Sequence, residues 1–320
     1  MKIALIVAAV LLYLYLHFIT LPSILSFFII FGRRNPESFE TKDLSGTPYE
    51  PYAGKFASAR EYLSGRDKKE LSVLSYDGVK LRGTYYKGTT DATVLCIHGF
   101  NSSPLNNFAC HCARFLKEGF NVLLAEQRAH GGGGGKFTGL GLIEQNDVLV
   151  WIEKAKELDP DGSLVLYGIS MGCTAMMYAC DRFDQDYVRG AVFDCGFDCP
   201  YDQMRRDLRQ RRLPASLMLP YSRFLSKTVL GIDLRKRTED VLKTIRVPSL
   251  FLHGTGDPTV PVSVGRDNYE ACATPKRMIE VPGAGHALSF IASSEARHMT
   301  IDFIREVCGL ANNNTQGETP

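Results

Sequence analysis

The sequence predicts an α/β fold: a mostly parallel, doubly wound sheet with a small helical cap, preceded by an N-terminal transmembrane helix. Three observations predict it. Short apolar runs at 93–97, 121–125, 163–167, 190–193, 249–252 and 277–281 alternate with helix-forming stretches, the pattern of strands joined by crossover helices. Two earlier runs, 71–76 and 79–86, alternate around Asp77-Gly78 and read as an antiparallel hairpin that enters the sheet. Residues 3–32 contain no Asp, Glu, Lys or Arg.

As a helix, that uncharged run spans about 45 Å against a hydrocarbon core of about 30 Å, so it crosses a bilayer with length to spare. Pro22 is expected to kink it or to divide a crossing part from an interfacial part. A cleaved signal peptide is the rival reading, but no small-residue cleavage site follows the first apolar stretch and apolar residues continue to Phe31. Residues 1–34 are therefore read as a single-pass anchor in the cell membrane. Lys2 on one flank and Arg33-Arg34 on the other leave the positive-inside rule nearly balanced; the cysteine usage favours a reducing, cytoplasmic face for the rest of the chain. Residues 35–66, with Pro36, Pro48 and Pro51, read as a membrane-proximal linker ending in a short helix near 57–63. The main domain runs over 67–309, with an insertion at 198–243 read as the cap. A polar tail at 310–320, containing Asn312-Asn313-Asn314, is expected to be disordered.

Composition narrows the function classes. The 37 basic and 35 acidic residues leave a net charge of +2, too even a balance to suggest nucleic acid. A length of 320 residues with 45% hydrophobic content suits one large domain with additions. The nine cysteines are odd in number and several fall in apolar strands or helices, where a free buried thiol is the expected role. Cys110-His111-Cys112 is not read as a metal site, because the two cysteines do not share a helix face and no second pair follows. No metal and no organic cofactor is expected.

The chemistry centres on Gly168-Ile169-Ser170-Met171-Gly172, which follows the apolar run Leu164-Val165-Leu166-Tyr167 and precedes a helix-forming stretch. A serine between small residues at a strand-to-helix turn reads as a nucleophile elbow, so Ser170 is the expected nucleophile. Of the seven histidines, His17 falls in the apolar helix, His111 and His298 in expected helices, and His98, His130 and His253 directly before glycines at strand ends. His286, in Pro282-Gly283-Ala284-Gly285-His286, stands on a flexible turn after the last strand and is the expected general base. The ring of His98 is expected to brace its loop and not to titrate. Asp257 follows a strand and precedes His286 by 29 residues, giving the order Ser, Asp, His and an acid to orient the imidazole. Asp194 and Asp198 are the alternatives for the acid. The backbone N–H groups of Met171 and Phe100 are the expected oxyanion donors.

The order Ser170, Asp257, His286, the turn His98-Gly99-Phe100 and the segment Arg128-Ala129-His130-Gly131 together resemble the α/β-hydrolase superfamily. Within it the chain resembles bacterial, often membrane-anchored serine hydrolases grouped with the serine aminopeptidases and prolyl-oligopeptidase catalytic domains. The resemblance covers roughly residues 70–307 and includes the turn Asp194-Cys195-Gly196-Phe197. It implies the α/β-hydrolase fold and an acyl-enzyme mechanism. One departure is the run of five glycines at 131–135, where relatives interleave polar residues.

In the insertion, Leu213, Leu217, Met218, Leu219, Phe224 and Leu225 are expected to line an acyl pocket, with Arg205, Arg206, Arg209, Arg211 and Arg212 outside. Those arginines read first as a solvated helix face and second as a contact for anionic lipid headgroups. Three functions fit the sequence. The first is a serine hydrolase of acyl esters or thioesters. The second is a serine peptidase or aminopeptidase cleaving amide bonds, and the third a non-catalytic hydrolase-like binding protein, which would normally have lost Ser170, Asp257 or His286. The partners expected are a small ester, lipid-like or peptide substrate and the membrane. Nucleic acid is not among them.

Overall fold

A computed structural model describes residues 1–311; of the tail expected at 310–320, residues 312–320 lie outside the described residues. The chain opens with one helix, Lys2–Phe31, long and apolar enough to cross a membrane. It consists of α1 (Lys2–Tyr15), a π turn (Leu16–Thr20) and α2 (Leu21–Phe31). The helix stays right-handed through Leu21, and the disturbance expected at Pro22 is taken up by the wide turn ahead of it. Proline lacks an N–H and crowds the preceding turn, which a π turn relieves. On α2, Ser23, Phe27 and Phe31 are buried, and Phe27 packs on Phe31 and Phe137 with ring centroids 4.9 and 6.3 Å apart. This half of the apolar helix is thus partly a packing element of the main domain.

A strap at 32–49 and a short turn (Glu50–Tyr52) lead to α3 (Ala53–Ser64). There follow β1 (Lys69–Leu74), β2 (Lys80–Tyr86), β3 (Ala92–Ile97), α4 (Pro104–Lys117), β4 (Asn121–Ala125), α5 (Glu144–Leu158), β5 (Ser163–Ile169), α6 (Met171–Ala179) and β6 (Val188–Asp194). The insertion supplies α7 (Pro200–Gln210), α8 (Ala215–Leu225) and α9 (Thr238–Leu242). The chain closes with β7 (Ser249–Gly254), α10 (Val262–Ala271), β8 (Lys276–Val281), α11 (Ser289–Ala292) and α12 (Ser294–Val307).

The eight strands form one sheet in the order β1-β2-β4-β3-β5-β6-β7-β8. β1, β2 and β4 pair antiparallel and every other pair is parallel. The interior strands β3, β4 and β7 are buried at every position, as strands covered by helices on both faces must be. One face carries Phe56 of α3, Phe108 and Phe115 of α4, and Phe290 and Phe303 of α11 and α12. The other carries Trp151 of α5, Met176 of α6 and Val264 of α10. Helix α6 is buried along its whole length, so the residue before it sits at a fixed height above the sheet. All nine cysteines are free thiols and seven are buried.

His111 lies inside the aromatic layer, its ring stacked on Phe290 with centroids 4.1 Å apart and edge-on to Tyr167 at 5.1 Å. Burial pushes its pKa down to about 3, against a smaller upward pull from the Asn107 carbonyl. Between that value and the ordinary 6.5 the unfolded chain binds a proton that the folded chain refuses, so stability falls as pH falls through this window. His111→Leu removes that term. Its unfolding free energy should fall less than the parent's between pH 7 and pH 5, by up to about 1.4 kcal/mol per pH unit below the ordinary value; the same pH dependence in both proteins would show that the ring titrates freely.

Candidate active site

Ser170 is the residue between β5 and α6, with φ 53° and ψ −118°. That conformation is disfavoured for a residue with a Cβ and is held by the close fit of its neighbours. A Cβ on Gly172 would come 2.0 Å from the Ile97 carbonyl oxygen, and one on Gly168 would come 2.6 Å from the Cys173 backbone. The Ser170 N–H donates to the Asp194 carbonyl at 2.9 Å and its own carbonyl accepts from the Thr174 N–H at 2.9 Å.

The structure brings together the three side chains that sequence reasoning selected. His286 Nε2 lies 2.9 Å from Ser170 Oγ, and His286 Nδ1 lies 2.7 Å from Asp257 Oδ2. Asp257 Oδ1 accepts from the N–H groups of Thr259 and Val260 at 2.7 and 2.9 Å. Burial opposes its charge, but hydrogen bonds from the His253 and His286 rings and from the Val260 N–H outweigh it and hold the carboxyl well below the usual range. The two alternative acids are engaged elsewhere. Asp194 accepts from Tyr167 Oη at 3.1 Å and its pKa is pushed up to about 6 by burial, while Asp198 pairs with Arg206 at 2.5 Å and Arg237 at 3.3 Å.

The turn carrying Phe100 passes directly over the elbow: a Cβ on Gly99 would sit 3.2 Å from Ser170 Cβ. Two buried histidines brace it. The Gln127 N–H donates to His98 Nε2 at 3.0 Å, so the ring proton sits on Nδ1 and points to the Gly99 carbonyl at 2.8 Å. In the same way the Asn101 N–H donates to His130 Nε2 at 3.1 Å, and His130 Nδ1 faces the Arg128 carbonyl at 2.9 Å. Burial pushes His98 down to about 3 and lowers His130 as well, so both rings are neutral struts. Asn107 Oδ1 accepts from the Gly99 N–H at 2.8 Å. The Met171 N–H belongs to the first turn of α6, where no helix carbonyl is available to it.

Sequence reasoning missed the strap. A cavity of about 400 Å³ beside Ser170 and His286 is walled by Asn35, Glu37, Phe39, Lys42 and Tyr49 on one side and by Phe100, Asn101 and Asn107 on another. The cap residues expected to line it do not: Met218 and Leu219 are buried on the inner face of α8, Leu225 is half-buried against the core, and Leu213, Leu217 and Phe224 face outward. Instead α7 supports the acid, with Gln203 and Gln210 donating to the carbonyls of Thr259 and Pro258 at 3.1 and 2.8 Å. A larger groove of about 690 Å³ lies between the strap and α3 and contains neither Ser170 nor His286.

The strap is stitched down by three groups. Arg33 reaches into the glycine run, donating to the Gly133 carbonyl at 2.7 Å and to that of Gly131. Gly134 of that run has no room for a side chain, since a Cβ would lie 2.5 Å from the Lys80 carbonyl oxygen. Arg34 lies over the Phe100 ring at 4.7 Å. Asn106, buried at the start of α4, accepts from the Phe39 N–H at 2.9 Å and donates to the Glu37 carbonyl at 2.8 Å. Two adjacent buried asparagines in an amphipathic helix are the signal that could have pointed to this clamp.

Among the described residues, two clusters have the donors of a metal site. Cys195, Asp257 and His286 form one and Asp198, Cys199 and Asp202 the other. In the first, burial pushes the Cys195 thiol far up, keeping it protonated, and the remaining two donors bond each other. In the second, both carboxylates are taken by arginines.

A profile describing the alpha/beta hydrolase fold matches residues 92–219. The chain is 29% identical to the protein YqkD of Bacillus subtilis over 262 residues, covering 80% of this chain and 84% of that one. It is 24% identical over 261 residues to the Saccharomyces cerevisiae protein YNL320W, which is described as a membrane protein, covering 80% and 78% of the two chains. Among solved structures, it superposes on the Pyrococcus furiosus esterase Pf2001 with a TM-score of 0.65 at 22% identity, covering 86% of this chain and 97% of that one. The fold is the α/β-hydrolase fold.

If Asn106 clamps the strap, Asn106→Ala should speed hydrogen exchange at the Phe39 amide while leaving the α6 amides protected, with a stability loss of about 1 to 3 kcal/mol for the stranded groups. Unchanged exchange at Phe39 would show that the strap is held without it.

Proposed function

We propose that this chain of α/β-hydrolase fold is a membrane-anchored serine hydrolase that cleaves acyl esters or thioesters through an acyl-enzyme. The observation that carries the reading is the single line of hydrogen bonds from Ser170 Oγ through His286 to Asp257, at 2.9 and 2.7 Å. His286 Nε2 takes the Ser170 proton as Oγ bonds to the carbonyl carbon. Charge moves onto the substrate oxygen, which the N–H groups of Phe100 and Met171 receive, each donor contributing about 3 to 4 kcal/mol. The imidazolium then protonates the leaving oxygen or sulfur and the acyl-enzyme remains. A water attacks it, giving its proton to His286, and Ser170 leaves with that proton as the acid is released. Asp257 stays ionised throughout, fixing the Nδ1–H tautomer and stabilising the imidazolium. No step calls for a metal or organic cofactor.

The cavity walls bear on the substrate. Asn35, Glu37, Lys42, Asn101 and Ser102 present polar groups around Ser170, which favours a small substrate with a polar or charged portion over a long unbroken acyl chain. Glu37 is the one carboxylate among the lining residues and could receive a substrate ammonium. That supports the second reading, an aminopeptidase-like cleavage of amides, and aminoacyl amides tested beside acyl esters discriminate the two. The anchoring helix supports a site at the membrane surface, and the likeness to a yeast membrane protein agrees with it.

A fluorophosphonate probe should label Ser170, with labelling and turnover both lost in Ser170→Ala; an undiminished signal from that variant would rule out the assignment. Asp257→Asn should cost about 10⁴-fold in turnover on an activated ester, the penalty of a wrong tautomer in serine proteases. Asp194→Asn should cost far less, and the reverse ranking would move the acid to Asp194. The full-length chain should remain in the membrane pellet after a high-salt wash, and its release into the supernatant would contradict an inserted anchor.

A further inference from the structure

Helix α8 inverts the usual arrangement of a surface helix, whose outward face is polar. Its buried stripe is Ala215, Met218, Leu219 and Ser222. At 3.6 residues per turn the opposite pole falls on Leu217, Pro220 and Phe224, and there Leu217 is 46% and Phe224 64% exposed. Leu213 before the helix and Val229 after it are also exposed apolar residues. Arg223 lies on one flank of α8, and Lys227 follows in the π turn (Ser226–Leu230) that continues it. On the other flank, Tyr221 Oη donates to Tyr15 Oη at 2.7 Å and accepts from Thr20 Oγ1 at 3.2 Å.

This apolar pole continues the surface of the N-terminal helix. α8 packs along α2 and the π turn before it. While α2 turns Ser23, Phe27 and Phe31 inward, it leaves Leu21, Leu25, Phe28 and Ile29 exposed. Length sets the depth. Lys2 marks a headgroup level, and a hydrocarbon core of about 30 Å takes roughly 20 helical residues beyond it, to about position 22. Contact with α8 already begins at Tyr15, on the hydrocarbon side of that level.

We propose that α8 is a second membrane element: it lies in the leaflet beside the anchor, with Leu217, Pro220 and Phe224 among the acyl chains and Arg223 and Lys227 extended to the headgroups. The occupant of the exposed face is therefore lipid. The inference rests on reading the helix Lys2–Phe31 as a membrane anchor. Arg223 also pairs with Asp233 at 3.3 Å, so Lys227 is the freer of the two cations. A long basic side chain beside an apolar helix pole can keep its stem among apolar groups while its charge reaches the headgroups. The cavity at Ser170 begins at Asn35, just past the end of α2 at Phe31, so seating α8 in the leaflet holds the site at the lipid surface on two supports.

The test uses the full-length chain in vesicles of phosphatidylcholine and phosphatidylglycerol brominated either near the headgroup or near the bilayer centre. Phe224→Trp and Leu217→Trp report α8, Leu11→Trp reports the anchor, and the parent, whose Trp151 is buried in the core, is the baseline. The expected result is quenching of both α8 tryptophans, stronger from bromines near the headgroup than from those at the centre, together with quenching at position 11. Quenching at 11 with none at 217 or 224 overturns the inference and leaves the anchor standing. No quenching at any of the three overturns both. If positions 217 and 224 are shielded from aqueous acrylamide yet untouched by lipid bromines, the face is covered by another copy of the chain, and the inference fails.

Discussion

The arrangement of this protein depends on one backbone constraint, the left-handed twist at Ser170. A residue with a side chain held at φ 53° costs on the order of 1 to 3 kcal/mol, and such a conformation persists only where its surroundings over-determine it. Here they do so from three sides. β5 is locked between β3 and β6, α6 is buried throughout, and the two glycines of the elbow leave no slack against Ile97 and Cys173. The benefit is positional: the hydroxyl stands clear of the sheet at the level where the strand ends present His286 and Phe100. Four further non-glycine residues with positive φ, Asn101, Ala129, Cys195 and Ala287, lie on the loops around it. Strain in this molecule is concentrated where the geometry of the site is set.

Around that elbow, polar groups buried in the fold are spent on orientation. Arg128 is the clearest case. Its guanidinium bonds Asp147 on α5 at 2.6 Å and Asp77 in the β1-β2 turn at 2.7 Å, and Ser75 joins the same network. An ion group this deep stabilises little in net terms but is costly to break, so it fixes the loop it belongs to. That loop carries His130, which holds the N–H of Asn101 and so the turn bearing Phe100. The neutral His98 and the amide of Asn107 hold the same turn from two other directions. The hydrogen-bond line from Ser170 through His286 to Asp257 thus lies beside a turn braced by two histidines that burial keeps neutral.

The N-terminal segment is built into the domain beyond its apolar helix. Arg33 and Arg34, which end the apolar helix and would serve any anchor as a basic flank, are built into the glycine run and onto Phe100. The strap that follows forms a wall of the cavity. The apolar helix, ending at Phe31, and the cavity wall at Asn35 to Tyr49 are therefore joined by one short stretch of chain.

Much of this was legible in the sequence, for a physical reason. Strand and helix periods, the Asp-Gly hairpin turn, the long uncharged run and the strand-serine-helix elbow are all local patterns, and burial on both faces of a parallel sheet stamps them on short stretches of chain. His286 and Asp257 could be selected because the fold offers few loop positions from which a base or an acid reaches the elbow. What stayed hidden depends on contacts between distant segments. Nothing local in residues 35–49 says that they cross the mouth of the site; that follows from Asn106, Arg60 and Phe56 offering partners to a strap from elsewhere in the chain. The apolar residues of the insertion likewise could not reveal which way they face. Composition alone makes Phe224 a lining residue as readily as a surface one, and only the packing of α8 between the domain and the N-terminal helix turned it outward, because each helix has a single buried stripe and the core had already taken it.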